Sequence, residues 1–577
     1  MNPRQLYLDV LKAIAMIAVV LFHAGFLKYG YLGVDVFLVI AGFLSTKRLT
    51  ESHKGYFRFV GARVMRLLPV LLVAGGAAMA LGWFTMLPDD YENLAESVVA
   101  TNLFSNNILS AITTGDYWNI ANEYKPLMHT WYVGLLMQFY LVFPLLLYLA
   151  RLDRTTPRKT LLILISALTF LSLLGYFGCP NAAHRFYYLP TRFFEFGVGG
   201  SVALAYEPSR ERVFHPVFSY LCYALLLALL IAGREVIPAI VRLPLVVALC
   251  AVLILSGNAL ANPVASNPFL AKIGMASYSI YVWHQVLLAF YRYIFRASFT
   301  VWTFMLYVAA VGVVSYLSYK LLEKGMAGAK FVTLAVWLLL TGFAGYIYWN
   351  AGVVRDVPEL GISVQDRHRR LNVAYTERGY QYDRPFVCSD KPHWLVIGNS
   401  FARDFVNTIL ESEVADLVEV SFTDDFSKPS NGERFAEADR VFISTRGLSR
   451  GYVSAIEVQC WQHGLSPDKI VIVGEKSFGV NNGHLYAHRH SPGYFDQRVE
   501  PLGGEKFLDR NKRFRELYGE RFLDLMSLVT DEAGLVQVFT PGHQFISADG
   551  KHFTAAGARF FAEKIQWGRW LESDDRE

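Results

Sequence analysis

The sequence predicts two structural parts. The first is a multi-spanning α-helical membrane domain of about eleven transmembrane helices over residues 1–350. The second is an α/β three-layer domain over residues 386–577, joined to it by a linker at 351–385. Three observations carry this prediction. The chain is 53% hydrophobic and only 18% charged, with mean hydropathy +0.30. That apolar character is uneven: runs long enough to cross a bilayer fill the first 350 residues, and beyond about 355 polar and apolar residues alternate as in a globular domain. Lysine and arginine also concentrate in alternate loops of the apolar half. A wholly soluble chain is excluded, as is an outer-membrane barrel, whose strands would read as alternating segments of ~10 residues. An aromatic content of 15% excludes a disordered chain. A formal charge of +5 over 577 residues carries no nucleic-acid signal.

A membrane-spanning helix needs roughly 20 mostly apolar residues. Such stretches lie near 8–27, 31–48, 67–87, 128–150, 160–178, 191–206, 217–233, 240–258, 276–295, 301–321 and 331–350. The first lacks a small-residue cleavage site and runs straight into the second, so it is expected to be retained. Basic residues follow the second (Lys47, Arg48, Lys54, Arg58, Arg63, Arg66), fourth (Arg151, Arg154, Arg158, Lys159), sixth (Arg210, Arg212) and tenth (Lys324, Lys330) stretches. The loop after the third is acidic, with Asp89, Asp90, Glu92, Glu96, Asp116 and Glu123. The N-terminus and the basic loops are therefore expected in the cytoplasm, with Arg292 and Arg296 as the exception. An odd number of spans in a bacterial inner membrane then places everything after about 352 outside, in the periplasm of a Gram-negative cell. Cys222 and Cys250 lie within apolar stretches and read as small buried hydrophobes. Cys388 and Cys460 lie in the outer domain, where a disulfide is chemically permitted but is not decided by sequence.

Within the apolar half, ionisable side chains are informative, because a charge at the bilayer centre costs at least ~2.5–3.5 kcal/mol. Lys12 and His23 stand eleven positions apart in LDVLKAIAMIAVVLFHAGF, about 16 Å along a helix and on one face. Singly, a snorkelling lysine and a hydrogen-bonded core histidine explain them. Together with Arg63-Val-Met-Arg66 and the polar-aromatic stretch HTWYVGLLMQFY, they read as a site.

These residues resemble the membrane-bound acyltransferase family 3, the O-acetylases of cell-surface carbohydrate. LDVLKAIAMIAVVLFH is similar to the family's opening Arg-x10-His helix, GYLGVDVFLVIAGFL to its GxxGVDxFFxxSGF stretch, and RVMRLLP to its RxxRxxP. MHTWYVGLLMQFYLVFP is similar to HTWSLxVEEQFYxxxP, LPTRFFEFGVGG to an Arg-x-x-Glu-x-x-x-Gly segment, and IGMASYSIYVWH to SYSxYxxH. Six pieces in order cover residues 1–325. Two positions depart from the pattern. The family arginine is Lys12, which keeps the charge without the planar fork that grips phosphate. The paired glutamates of the fourth segment are Leu136 and Met137. The resemblance implies an acyl-CoA donor, with acetyl-CoA foremost, as substrate and no bound cofactor or metal. Lys12, Arg63 and Arg66 would hold the donor and His23 would act as base or transient acyl carrier. Arg192, Glu195, His129, Tyr278 and His284 are candidates for substrate contact or structural pairing.

In the outer domain, HWLVIGNS (393–400), RVFIST (440–445) and KIVIVGE (469–475) read as buried parallel strands, and FARDFVNTIL as a helix. Gly398-Asn-Ser400 puts a hydroxyl at a strand-to-helix turn, where helix N–H groups can stabilise an oxyanion. Asp549-Gly-Lys-His552 precedes a final helix, so His552 can serve as base for Ser400 with Asp549 orienting its ring. The order and location resemble the SGNH hydrolase/acyltransferase family over about 385–570, with GDS here as GNS. The family's GxND block has no match; STRG at 444–447 occupies its place without the asparagine.

The combined expectation is an O-acyltransferase acting on a cell-surface polysaccharide or lipid-linked glycan, such as lipopolysaccharide O-antigen, peptidoglycan or exopolysaccharide. Its partners would be acyl-CoA, the glycan and membrane lipids, with no nucleic acid. Two alternatives stay open: an outer domain acting as a carbohydrate esterase, and a membrane transporter with an inert periplasmic cap.

Overall fold

The computed structural model describes residues 3–51, 55–113, 123–149, 156–205, 216–231, 237–256, 264, 266–295, 298–325, 329–367, 371–387 and 390–571. The chain divides into two compact units. One comprises Met1–Trp83 and Asn93–Tyr346, the other Phe84–Glu92 and Ile347–Glu577.

The first unit is helical. Its helices are α1 (Pro3–His23), α2 (Gly33–Glu51), α3 (Tyr56–Thr85), α4 (Pro88–Asn102), α5 (Asn106–Thr113), α6 (Trp131–Leu149), α7 (Arg158–Gly178) and α8 (Ala182–Tyr187). They continue through α9 (Leu189–Ala205), α10 (Pro216–Ile231), α11 (Ala239–Ser256), α12 (Pro268–Met275), α13 (Ser277–Phe295), α14 (Val301–Ser318) and α15 (Lys330–Trp349). Each of the eleven expected stretches falls on one of these. Among the described residues, seven helices are long and apolar enough to cross a membrane, and Val217–Ile231 is a shorter apolar helix. The remaining three, α2, α9 and α13, are more polar or shorter: Asp35, Lys47 and Arg48 lie on α2, Arg192 and Glu195 on the 17-residue α9, and a Ser/Tyr/His/Gln series on α13. Large apolar side chains of α14 and α15 face outward, among them Trp302 and Phe331. This is a multi-pass membrane protein.

Glycine decides the central packing of this unit. A Cβ on Gly42 of α2 would lie 2.0 Å from the Phe196 carbonyl oxygen, and one on Gly199 of α9 would lie 2.0 Å from that of Val39. The two backbones therefore touch, the small-residue packing that stands in for hydrophobic attraction between helices in lipid.

The second unit is built on a five-stranded parallel sheet. Its strands are β1 (His393–Ile397), β2 (Glu419–Thr423), β3 (Arg440–Ser444), β4 (Ile470–Val473) and, after a small β5 (Arg498–Val499), β6 (Phe522–Leu523). The order is β2-β1-β3-β4-β6, and β5 pairs antiparallel with β7 (Val536–Gln537). Alternate side chains of β1 feed two cores. Trp394 and Val396 meet Phe405 of α17 (Ser400–Leu410), which follows α16 (Leu371–Glu377), together with Phe561 near the C-terminus. Leu395 and Ile397 meet Phe435 of α18 (Gly432–Glu437) and Val453 and Ile456 of α19 (Arg450–Gln462). Helices α20 (Gly483–Tyr486), α21 (Gly504–Tyr518) and α22 (Ala555–Lys564) complete the unit. Two sheet faces with period-two apolar residues require a helical layer on each.

One expectation is corrected here. The described part of the expected linker, residues 351–367 and 371–385, does not form a linker but belongs to the second unit. Val357 is fully buried in its core and pairs with Ile362, and the Phe545 N–H donates to the Glu359 carbonyl at 2.7 Å. Cys388 of the expected Cys388–Cys460 pairing lies outside the described residues, while Cys460 is buried on α19.

The α2–α9 contact gives a test. Gly199→Ala is expected to cost roughly 1–3 kcal/mol by overpacking, read as a lower thermal midpoint in detergent. Gly312→Ala on α14, where a Cβ meets nothing within 4 Å, should leave that midpoint unchanged.

Candidate functional site

Two groups of side chains carry chemistry, one in each unit. In the first unit Lys12, Arg63 and Arg66 line one cleft with Tyr132, Tyr278 and Tyr281, around about 740 Å³ of empty space that is partly open to solvent. Among the described residues no acidic side chain lines it directly, although Glu323, which accepts from the Ser279 hydroxyl, lies within electrostatic reach of Lys12 and Arg66. Leu136, at one of the two glutamate positions of the resembled motif, forms part of its apolar wall, and Met137 is buried. Lys12 pairs with Asp9 at 2.9 Å, and Tyr278 donates its hydroxyl to the Leu67 carbonyl at 2.7 Å. Arg63 lies over the rings of Phe59 and Tyr140. A neighbouring pocket of about 450 Å³ is lined by Arg48, Arg58, Arg63 and Arg66. Arg48 and Arg58 were not singled out by sequence, since their loop reads equally well as ordinary cytoplasmic anchoring. Three or four cations around these pockets suit a polyphosphate anion.

Histidines gather behind the wall that Tyr281 forms. The ring of His284 lies 5.2 Å from that of His23 and 5.3 Å from that of His129, and all three are buried. The backbone fixes two of the tautomers. A carbonyl can only accept, so His129 donates from Nε2 to Val282 (3.1 Å) and His284 from Nδ1 to Tyr281 (2.6 Å). That leaves His129 Nδ1 and His284 Nε2 as buried lone pairs that find no hydrogen-bond partner among the described residues. Arg292 donates to the His23 carbonyl at 2.6 Å and pairs with Glu123, so this arginine serves as a cap on the C-terminus of α1.

Arg192 and Glu195 form an ion pair, as their spacing allows, but with a third member that sequence did not reveal. Asp35 of α2 also binds the Arg192 guanidinium, and all three side chains are fully buried. The α2–α9 glycine contact brings them together.

In the second unit, His552 Nε2 lies 3.0 Å from Ser400 Oγ and His552 Nδ1 lies 2.6 Å from Asp549 Oδ2. Ser400 is the first residue of α17, where a backbone N–H has no partner within the helix. The turn before it needs glycine: Gly398 has φ +141, and a Cβ there would lie 2.0 Å from the Ser444 carbonyl oxygen. The Gly398 N–H donates to Thr423 of β2, so the serine sits at the carboxyl end of β1, where the chain passes first to β2 and then back across to β3. Burial alone would raise the Asp549 carboxyl, but the hydrogen bond and charge of His552 and the N–H groups of His552 and Lys551 outweigh it and hold it well below the usual carboxylate range. Asp549 therefore stays ionised and acts as an acceptor for the ring. A cleft of about 680 Å³ opens beside His552, lined also by Asp89, Glu377 and Arg403. The 444–447 segment does not aim its amides at this cleft: Gly447 and Leu448 donate to the Glu475 carboxylate, and Arg446 exchanges hydrogen bonds with the Asn399 side chain.

Residues 5–320 match the model of a family described as an acyltransferase domain. A Komagataeibacter xylinus protein named as a membrane-bound transacylase, BcsY, is 30% identical over 327 residues, which is 55% of this chain and 81% of that protein. Peptidoglycan O-acetyltransferase OatA of Listeria monocytogenes is 27% identical over 353 residues, 56% of each chain. A Staphylococcus aureus (strain COL) protein named as an O-acetyltransferase is 25% identical over 355 residues, 55% of this chain and 56% of that protein. This chain thus matches just over half the length of the latter two. No solved structure matches it.

If Asp549 orients His552, Asp549→Asn should slow labelling of Ser400 by a fluorophosphonate by on the order of 10²–10³-fold while leaving the fold intact. Labelling time courses on the purified protein measure this directly.

Proposed function

The chain belongs to the acyltransferase domain family, and on that premise we propose that it is an inner-membrane O-acyltransferase. It moves an acyl group, acetyl in the simplest case, from cytoplasmic acyl-CoA to hydroxyls of a cell-surface carbohydrate. The observation that carries this reading is the hydrogen-bonded series Ser400–His552–Asp549 in a chain whose other unit is an acyltransferase-family domain. In this reading all eleven apolar helices cross the membrane, and the second unit, an SGNH-like domain, lies on the periplasmic side.

Lys12, Arg63 and Arg66 hold the phosphates of coenzyme A by charge-assisted hydrogen bonds. His23, packed against His284, takes part in the transfer step as base or acyl carrier. Arg192, Glu195 and Asp35 act as a structural brace, given their complete burial. At the outer site Ser400 Oγ attacks the acyl carbon as His552 Nε2 accepts its proton, and the Ser400 N–H faces the developing oxyanion. The leaving group departs with that proton, and an acyl-serine remains. A sugar hydroxyl then attacks, giving its proton to His552, and Ser400 is regenerated as the sugar ester forms. The acceptor is a polysaccharide or lipid-linked glycan; peptidoglycan is the acceptor named for one relative.

The same residues hydrolyse an ester when water is the acceptor, and the open cleft beside the half-exposed Asp549 favours that as the second reading. Cells carrying wild type, His23→Ala or Ser400→Ala separate the two. Base-labile acetyl esters on extracted surface polysaccharide, counted by mass spectrometry, should be lost in both variants while the protein remains membrane-inserted. Unchanged esters in both would overturn the acyltransferase reading and favour transport. Esters accumulating in Ser400→Ala alone would make the outer domain an esterase.

A further inference from the structure

Two buried charged side chains of the second unit lie outside the Ser400–His552–Asp549 series, yet both reach the backbone on either side of His552. Asp404 stands on α17 one turn beyond Ser400 and is fully buried. Lys476 follows β4 in the loop beneath the Asp549–His552 turn and is 5% exposed. The two form an ion pair. Lys476 Nζ also donates to the carbonyl of Lys551 at 2.9 Å, and Asp404 Oδ2 also accepts the N–H of Phe553 at 3.2 Å. Lys551 and Phe553 are the two chain neighbours of His552. The ammonium further lies 3.9 Å from the ring centroid of Phe401 and 4.5 Å from that of Phe553, the residues that follow Ser400 and His552.

We propose that the Asp404–Lys476 pair is a positioning clamp for the proton-transfer site, gripping the backbone before and after His552 and tying it to the helix that begins with Ser400. The inference rests on the reading of Ser400 as nucleophile. His552 needs such an anchor because its turn, residues 549–552, belongs to no helix or strand, and the side chains of His552 and Asp549 are 32% and 50% exposed. A segment of that kind opens easily unless it is tied down, and displacement of a catalytic group by about 1 Å can cost about 10² in rate. Ordinary stability does not explain the pair, since a buried ion pair is no better for stability than apolar residues of equal volume. Directional bonds to two consecutive-but-one backbone positions are what apolar residues could not supply. Burial pushes the Asp404 carboxyl up and the Lys476 ammonium down, and each opposes that shift in the other, so the charges persist only as a pair. The clamp itself moves no proton.

The test uses the full-length protein in detergent, with 4-nitrophenyl acetate as acyl donor and Ser400→Ala in parallel. Lys476→Met and Asp404→Asn should each lower kcat by about 30- to 100-fold with KM within about twofold, at temperatures below the unfolding midpoint of each variant. The double variant Asp404→Asn/Lys476→Gln keeps an acceptor for the Phe553 N–H and a donor for the Lys551 carbonyl. It should recover kcat to within about fivefold of wild type. Unchanged kcat in the single variants, or a change in KM alone, overturns the clamp. If a single variant fails to fold, the double variant decides: one that folds yet is as slow as Ser400→Ala overturns the clamp as well. Turnover by Ser400→Ala equal to wild type would instead remove the nucleophile reading, whereas an inactive Ser400→Ala beside unimpaired clamp variants removes the clamp alone.

Discussion

A charge removed from water persists only where an opposite charge or directed hydrogen bonds meet it, and both units are organised around that constraint. In the first, Arg192 on α9 binds Glu195 of its own helix and Asp35 of α2, all inside a helical bundle. In the second, Lys476 and Asp404 meet beneath the His552 turn, and Glu475 collects the Gly447 and Leu448 amides together with Arg510. Each arrangement joins segments far apart in the chain. Breaking one of the fully buried pairs, Arg192 with its carboxylates or Lys476 with Asp404, by deleting a single partner strands the other at a cost of about 3–5 kcal/mol, so each fixes a geometry as well as a charge balance.

What the sequence made legible was local. Gly398-Asn-Ser400 and Asp549-Gly-Lys-His552 are short, and their geometry follows from one turn each, so a strand-turn-helix reading already places the hydroxyl and the ring. Lys12, Arg63 and Arg66 come from two different helices, and the rarity of ionisable side chains in the apolar half grouped them as a site before the order of the family-like motifs gave them a role. Asp35 was hidden because its partner lies 157 residues away and a glycine contact, not a pattern, brings them together. Asp404 was hidden differently: in FARDFVNTIL an aspartate looks like the polar face of an amphipathic helix, and nothing in the spacing says that Lys476 buries it. Strand β2, Glu-Val-Ser-Phe-Thr, alternates polar and apolar residues as a half-exposed strand does, although Ser421 and Thr423 are buried together with Val420 and Phe422, whereas β6 is two residues long and carries no readable period. The segment 351–385 looks like a linker because its anchors, such as Val357, are single buried residues among polar ones.

The absent GxND block has a structural counterpart that changes the electrostatics of the outer site. Where a side-chain amide would face the oxyanion, the 444–447 loop is turned inward onto Glu475, and its Arg446 peptide is locked to Asn399. Asn399 thus has two tasks, capping α17 through the Phe401 N–H and bracing the neighbouring loop. An aspartate at 399 could accept those bonds but could not donate to the Arg446 carbonyl. The substitution of asparagine for the aspartate of the resembled motif and the altered loop are therefore one change. In the proposed reaction transition-state stabilisation would then fall mainly on the Ser400 N–H at the start of α17, which would place a premium on the accuracy with which His552 is held.

The division of labour in the proposed reaction follows from the same constraint. Coenzyme A carries several negative charges, and a low-dielectric barrier admits them only at great cost. The acyl group is small and uncharged, so it is the part of the donor that can be passed on without carrying a charge. In the proposed scheme the cleft of cations would retain the phosphates, while the adjoining cluster offers buried imidazole nitrogens whose orientation the backbone has already set. An ester or an acyl-imidazole formed from such a group is neutral or nearly so, and its formation leaves the phosphates where the cations are. In that scheme Ser400 would need no contact with coenzyme A at all, and its site could be shaped for a sugar hydroxyl alone.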